Sequence, residues 1–290
     1  MDTSRGFNRI LLATDGSEDA EAAVDATIAL GRLSSTTVRV VNVWNLEVHH
    51  RHGNWDVEDR SEARNLVNAT VDRLTSAGLR AEPEIVRADG SHVATSITTV
   101  AREFSADLVV LGSRGLSDWQ SMFQHSVSHQ VLSVLDCPVL VVRGTPAGSA
   151  PPMRRILLAV AGGEDVAPAV RAAVAAASVA ASTVMVVHVA QAIFGAQGLA
   201  YVENEDEIQT TMATTIKLLS EAGIEAEGLV APSGPVAKTI ADIATNWHAD
   251  LIVVSSSRMG DLAAMLLGSV SHDLLHVSDR PVLIAERIRS

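Results

Sequence analysis

The chain predicts an α/β protein of two tandem doubly wound domains, each a five-stranded parallel sheet covered by helices. Composition is the first sign: of 290 residues, 47% are hydrophobic but only 3% aromatic. A core must then be built from Ala, Val, Leu and Ile, the mixture that suits buried parallel strands under alanine-rich helices. Repetition is the second sign. Residues 9–43, beginning RILLATDGSED, overlie residues 155–189, beginning RILLAVAGGED, at an offset of 146 with 17 of 35 positions identical. Residues 106–142 overlie 249–285 at an offset of 143 with 17 of 37 identical and no gap. Alternation is the third: within each repeat, apolar strand-like runs alternate with helix-like segments, so crossovers join parallel strands.

The first strand of each copy runs from Ile10 to Thr14 and from Ile156 to Val160, apolar throughout and followed by a polar turn and a helix. Second strands follow at Val38–Val43 and Val184–Val189, second helices at about 58–77 and 204–222, and third strands near 82–87 and 225–230. Third helices at about 92–104 and 235–247 lead into the apolar fourth strands DLVVL and DLIVV. The last helices open near Ser126 and Ser269, and PVLVV and PVLIA form the fifth strands. This Rossmann-like order, 3-2-1-4-5, places a ligand crevice at the carboxyl ends of strands one and four. RGTPAGSAPP (143–152) reads as a linker between a first domain at 1–145 and a second at 152–290.

Charge narrows the partners. The net charge is −12, with 13 Lys plus Arg against 19 Asp plus Glu in residues 1–146 and 9 against 15 in the rest. Each half is therefore −6, without the basic footprint of a nucleic-acid binder. Cys137 is the single cysteine, so no internal disulfide can form, and it reads as a small buried apolar residue. The start, MDTSRGFNR, lacks an apolar signal region, and no apolar run reaches the ~18 residues of a membrane span. A cytoplasmic protein with no membrane or nucleic-acid partner is expected.

Two strand ends carry the candidate chemistry. Leaving strand one are Ala13, Thr14, Asp15, Gly16 and Ser17. The Asp15 carboxylate would accept a hydrogen bond from a ribose hydroxyl or an adenine amino group, or help hold Mg²⁺. Equally, Asp15, Ser17 or both would cap the following helix. Leaving strand four, Gly112 and Gly115 frame Ser113 and Arg114, and nine residues later come His125 and Ser126 at a helix start. Glycines let backbone approach a phosphate, and a helix N-terminus favours its charge.

With these residues, both copies resemble the universal stress protein family in its tandem form, over nearly the whole chain. ATP-binding members carry an Asp after strand one and a loop of Gly, two residues, Gly, nine residues, Gly, then Ser or Thr. The resemblance implies that Asp15 and Val43, with Ala13 beside them, hold adenine and ribose, and that Gly112, Gly115 and Ser126 hold ribose and phosphates. It also implies that the two domains pack through their fifth strands, Cys137–Val142 and Arg280–Ala285, as a pseudo-dimer; further homodimerisation is left open. Other members bind no nucleotide.

The copies depart from the family pattern differently. In the first, His125 stands at the third glycine. A left-handed backbone there costs roughly 1–2 kcal/mol; the imidazole either blocks the phosphate path, donates to phosphate when protonated, or points to solvent. In the second, Gly268 and Ser269 match, but Ser255 and Arg258 replace the first two glycines and Ala161 replaces Asp15. ATP, with or without Mg²⁺, is therefore expected in the first domain and no cofactor in the second. Trp119, within LSDWQSMFQ, sits in the intervening loop, to cover a ligand or partner if that loop is not simply mobile.

His49, His50 and His52 lack the spacing of a metal site and read as a solvated loop. His129 and His272 correspond between the copies and read equally as helix-surface or interface residues. GxxxxGK[ST] and GxSxG motifs are absent, so no catalytic residue is assigned. The expected function is a stress-response regulator that binds ATP or another adenine nucleotide and is not an enzyme. Its rivals are a nucleotide-free interaction scaffold and a slow ATP hydrolase.

Overall fold

Parallel strands and crossover helices alternate through both repeats of the computed structural model. It describes residues 6–32, 35–45, 58–88, 93–113, 127–135, 137–143, 153–163, 165–177, 182–195, 198–201, 204–255 and 269–285. Two compact units result, one of Phe7–Ala150 and one containing Pro151–Ser290.

In the first unit the elements run β1 (Arg9–Ala13), α1 (Glu18–Gly31), β2 (Thr37–Asn45), α2 (Glu58–Ser76), β3 (Arg80–Ala88), α3 (Val93–Phe104), β4 (Leu108–Gly112), α4 (Val127–Val134) and β5 (Val139–Val142). All its strand pairs are parallel, in the order β3-β2-β1-β4-β5. The second unit repeats this with β6 (Arg155–Ala159), α5 (Ala167–Ala177), β7 (Thr183–Val189), β8 (Ala192–Gly195), β9 (Gly198–Tyr201), α6 (Glu205–Glu221), β10 (Glu225–Ala231), α7 (Val236–Asn246), β11 (Leu251–Val254), α8 (Ser269–Val277) and β12 (Val282–Ile284). Its parallel order is β10-β7-β6-β11-β12. The 3-2-1-4-5 order therefore holds in each unit.

Three differences from the sequence reading stand out. An antiparallel hairpin, β8 with β9, follows β7 in the second unit; its four-residue strands, AIFG and GLAY, are too short to show the alternation that marks a strand. β2 continues two residues past Val43 to Asn45, since β3 supplies partners that far, pairing Asn45 with Ala88. Cys137 lies ahead of β5 and is partly exposed rather than buried. Among the described residues, no helix is long and apolar enough to cross a membrane.

Helices cover both faces of the central strands, and this explains their unbroken apolar runs. Ile10, Leu11 and Leu12 of β1 and Leu108, Val109 and Val110 of β4 have no exposed surface, and the same is true of Ile156–Leu158 and Leu251–Val253. The alanines of α1 and α5 let these helices lie close to the sheet.

A repeated carboxylate clamp aligns the starting ends. Asp107 accepts from the backbone N–H of Asn8 at 2.8 Å and of Arg9 at 2.9 Å, and its own N–H donates to the Arg9 carbonyl at 3.0 Å. Asp250 accepts from Arg154 and Arg155 at 3.0 and 2.9 Å in the same way. Alongside, the Arg9 guanidinium lies 4.4 Å from the Phe104 ring centroid, and that of Arg155 lies 5.0 Å from Trp247.

Replacing Asp107 by Ala leaves two backbone donors without their acceptor and should lower stability by about 1–3 kcal/mol in chemical denaturation. Burial, only partly countered by the backbone donors, raises the Asp107 pKa above its ordinary 3.8. A carboxyl with a raised folded pKa contributes most below its unfolded pKa and loses that contribution as pH rises through the folded value. The stability gap between the native chain and Asp107→Ala should therefore widen as the pH is lowered towards 3.8, a trend that denaturation curves at several acidic pH values will test.

Candidate functional site

At the opposite ends of the strands, register decides which side chains meet. Ala13 of β1 pairs with Val41 of β2 and with Leu111 of β4. Beyond these pairs β1 gives way to the turn that carries Asp15, while β2 continues through Val43 to Asn45. Ala13, Asp15, Val41, Val43, Leu111 and Gly112 line a cleft of about 120 Å³ there, which Val93 and Ile97 of α3 and Val127 and Ser128 of α4 help to close. Ligand clefts usually span ~300–1,000 Å³, so this one fits a ring-sized group. Its floor is apolar, and its acid is Asp15.

The turn after β1 is fixed from several directions. Thr14 N–H donates to the Val41 carbonyl at 3.0 Å, and the buried Asn42 amide donates to the Thr14 carbonyl at 2.8 Å. Gly16 adopts φ +77°, a left-handed conformation suited to glycine, and packs against Leu66 of α2. Arg73 of α2 pairs with both Glu21 and Asp25 of α1, tying the two helices together beside this turn. Ser17 donates to Asp15 Oδ1 from its N–H at 3.0 Å and its hydroxyl at 2.6 Å, while its Oγ accepts from Ala20 N–H at 3.3 Å and caps α1. Capping therefore belongs to Ser17, and Asp15 orients that cap while remaining exposed. Past β5, burial draws the pKa of Arg143 below its usual value, an effect that the Asp19 carboxylate of α1 opposes.

Gly112 has a structural reason to be glycine. A Cβ there would lie 2.6 Å from both the Ala20 nitrogen and the Asp19 carbonyl carbon, because the first turn of α1 rests on β4 at this point. In the second unit, Ser255 takes the corresponding place, and α5 begins only at Ala167, whereas the 146-residue offset from Glu18 would put its start at 164. Pro168 accounts for the delay. It corresponds to Ala22, inside α1, and proline is tolerated only in the first turn of a helix. The helical turn that rests on Gly112 in the first unit is thus absent from the corresponding residues of the second.

Other contacts at the second unit's turn differ accordingly. Gly163 takes the left-handed conformation at φ +72° and donates to Thr211 Oγ1 at 3.1 Å. Asp165 accepts from Ala167 N–H at 2.9 Å. The buried His188 ring, in the place of Asn42, meets the Val160 carbonyl through Nδ1 at 3.0 Å. Ala161 stands where Asp15 does and offers no side-chain acceptor.

Of the residues singled out by sequence, Ala13, Asp15, Val43 and Gly112 come together in the first unit. Gly115, His125, Ser126 and Trp119 lie outside the described residues, as do His49, His50 and His52. Among the described residues, no group of three or more His, Cys, Asp or Glu side chains could hold a metal ion. His272 is half-buried, its ring 4.7 Å from that of His276. Val41, Ile97 and Ser128 were missed. Strand alternation pointed to Val41, two residues before Val43; the α3 and α4 residues gave no local signal.

The seat at Gly112 can be tested by substitution. Gly112→Ser should destabilise the chain by about 1–3 kcal/mol, the range for overpacking. Ser255→Gly should cost no more than about 1 kcal/mol, the entropic cost of a glycine. Equal losses in the two melting curves would contradict the packing argument.

Comparison with known proteins places this geometry. The model of the universal stress protein family matches residues 6–143 and again residues 152–286. The chain is 28% identical to the universal stress protein YxiE of Bacillus subtilis (strain 168), over 47% of this chain and 99% of that protein. A crystal structure of a universal stress protein from Archaeoglobus fulgidus DSM 4304 shares the fold, with a TM-score of 0.75 at 21% identity over 97% of this chain and 99% of that one. Because the family model accounts for both repeats, the chain belongs to the universal stress protein family, in a form with two of its domains in tandem.

Proposed function

We propose that the first unit binds an adenine nucleotide and that its occupancy regulates what the protein associates with in a stress response. One observation carries this reading: an acid, Asp15, at the tip of β1 lines the same cleft as Val43, over an apolar floor of Ala13, Val41 and Leu111. A flat base suits such a floor, and a carboxylate accepts from the ribose hydroxyls or the adenine amino group. Gly115, His125 and Ser126 would then meet the phosphates, and Mg²⁺ would enter with ATP. The second unit has Ala161 in place of the acid and a turn built on other contacts, so it serves as a structural copy without a cofactor. The protein acts as a binder in the cytoplasm, and phosphate release from ATP stays at the level of a protein-free control.

Calorimetric titration of the full chain with AMP and with ATP, after acid extraction to remove nucleotide carried through purification, tests the reading. One site per chain is expected. Asp15→Asn keeps an acceptor for Ser17 but removes the charge, and should weaken binding about 10–100-fold, in line with ~1.5–3 kcal/mol for a hydrogen bond to a charged group. No heat and no extracted nucleotide would favour a nucleotide-free scaffold instead.

A further inference from the structure

β3 closes the sheet of the first unit and β10 that of the second, each paired on one side only among the described strands. The two edges are built differently. Val40 of β2 and Val186 of β7 are counterparts at the 146-residue offset; Val40 pairs with Pro83 and Val186 with Gly228, so Gly228 stands where the first unit has proline. A proline in an edge strand turns its missing donor outward and discourages pairing with another chain. Arg39 adds to that protection, reaching Glu82 at 2.6 Å and Glu84 at 3.2 Å. By the same register, Met185 takes the place of Arg39 and Leu229 that of Glu84. Glu227, Gly228, Leu229 and Val230 are all exposed, Leu229 at 38% and Val230 at 43%.

The ladder shows which backbone groups lie open. The Ala231 carbonyl accepts from the Ala190 N–H, just past β7, at 3.0 Å. In a strand the N–H and C=O of one residue point to the same neighbour, and the side alternates with each residue. Ala226, Gly228 and Val230 therefore present both groups to the bare edge. An antiparallel copy of β10 about a twofold axis at Gly228 satisfies all three: Gly228 opposes Gly228, and Ala226 opposes Val230 on either side, each pair exchanging two hydrogen bonds. On the other face Glu227 opposes Leu229 and Glu225 opposes Ala231, so no carboxylate faces another. Neighbouring registers do worse. An axis at Glu227 sets that acid against itself, and one at Leu229 sets Ala226 against Pro232, which has no N–H to give. We propose that β10 is an assembly edge, through which two copies of this chain pair antiparallel about Gly228 and join the sheets of their second units.

Sedimentation equilibrium of the full chain over a range of micromolar concentrations tests this, in about 0.15 M salt so that net charge is screened beyond ~8 Å. The native chain should show a monomer–dimer equilibrium. Gly228→Pro restores the residue that β3 carries and removes the central donor, and it should be monomeric. Leu229 reports the register, and it is exposed, so its charged variants should melt with the native chain at dilutions where all are monomers. Leu229→Glu sets a carboxylate against Glu227 of the other copy, twice by symmetry, whereas Leu229→Lys sets an ammonium there. The Lys variant should dimerise about 10-fold or more tightly than the Glu variant. A native chain that stays monomeric throughout would overturn the proposal. So would a dimer indifferent to Gly228→Pro and Leu229→Glu, which must lie on another surface. Equal weakening by Lys and Glu would refute the pairing of Leu229 with Glu227, and the proposal with it; this comparison decides the matter even if Gly228→Pro fails to fold.

Discussion

Everything at the crevice depends on the register between β1 and β4, and that register is set at the other end of the strands. Asp107 grips the N–H groups of Asn8 and Arg9 while its own N–H reaches the Arg9 carbonyl. From there the ladder runs Ile10 to Leu108 and onward to Ala13 with Leu111. A slip of one residue would turn every side chain to the opposite face. With β1 slipped against its neighbours, Asp15 would leave the face of Val41 and Leu111, and the cleft would lose its acid. The clamp is some five residues from the site, yet it decides which side chains the site contains.

Legibility in the sequence follows from which features are local. The long repeat and the apolar runs revealed five strands per domain and their order, because central parallel strands buried on both faces are written as continuous Val, Ile and Leu. Asp15 was legible as the acid at a strand tip. The role of Gly112 was not: a glycine that admits a phosphate and one that seats a helix look alike in a sequence, and only the position of Asp19 and Ala20 separates them. Pro168 did carry a readable signal, since it occupies a place that is mid-helix in the other copy. The β8–β9 hairpin had none, built as it is of Ala, Gly and scattered apolar residues.

The differences between the copies are physically linked. Pro168 moves the start of α5, and Ser255 occupies a position where its counterpart, packed under the first turn of α1, must be glycine. Ala161 in place of Asp15 belongs to the same turn. The second unit therefore has a differently built mouth, and substituting single residues of the family loop would not rebuild the first unit's geometry. Where one turn ends on Ser17 capping a helix, the other ends on Asp165 doing so, with Gly163 anchored to α6 instead.

Opposite ends of the same strands carry different burdens, which is why two such unlike mouths can sit on one fold. At the starting ends, both units have the carboxylate clamp, the cation over an aromatic ring, and a hydroxyl bonded across the first strand, Thr36 to the Phe7 carbonyl and Ser182 to that of Met153, each at 2.6 Å. Those contacts order the sheet. At the finishing ends, the loops only have to connect, so their residues can vary without disturbing the register beneath. A doubly wound sheet thus separates what holds it together from what it can bind, and the crevice of the first unit is supported by interactions in which no ligand takes part.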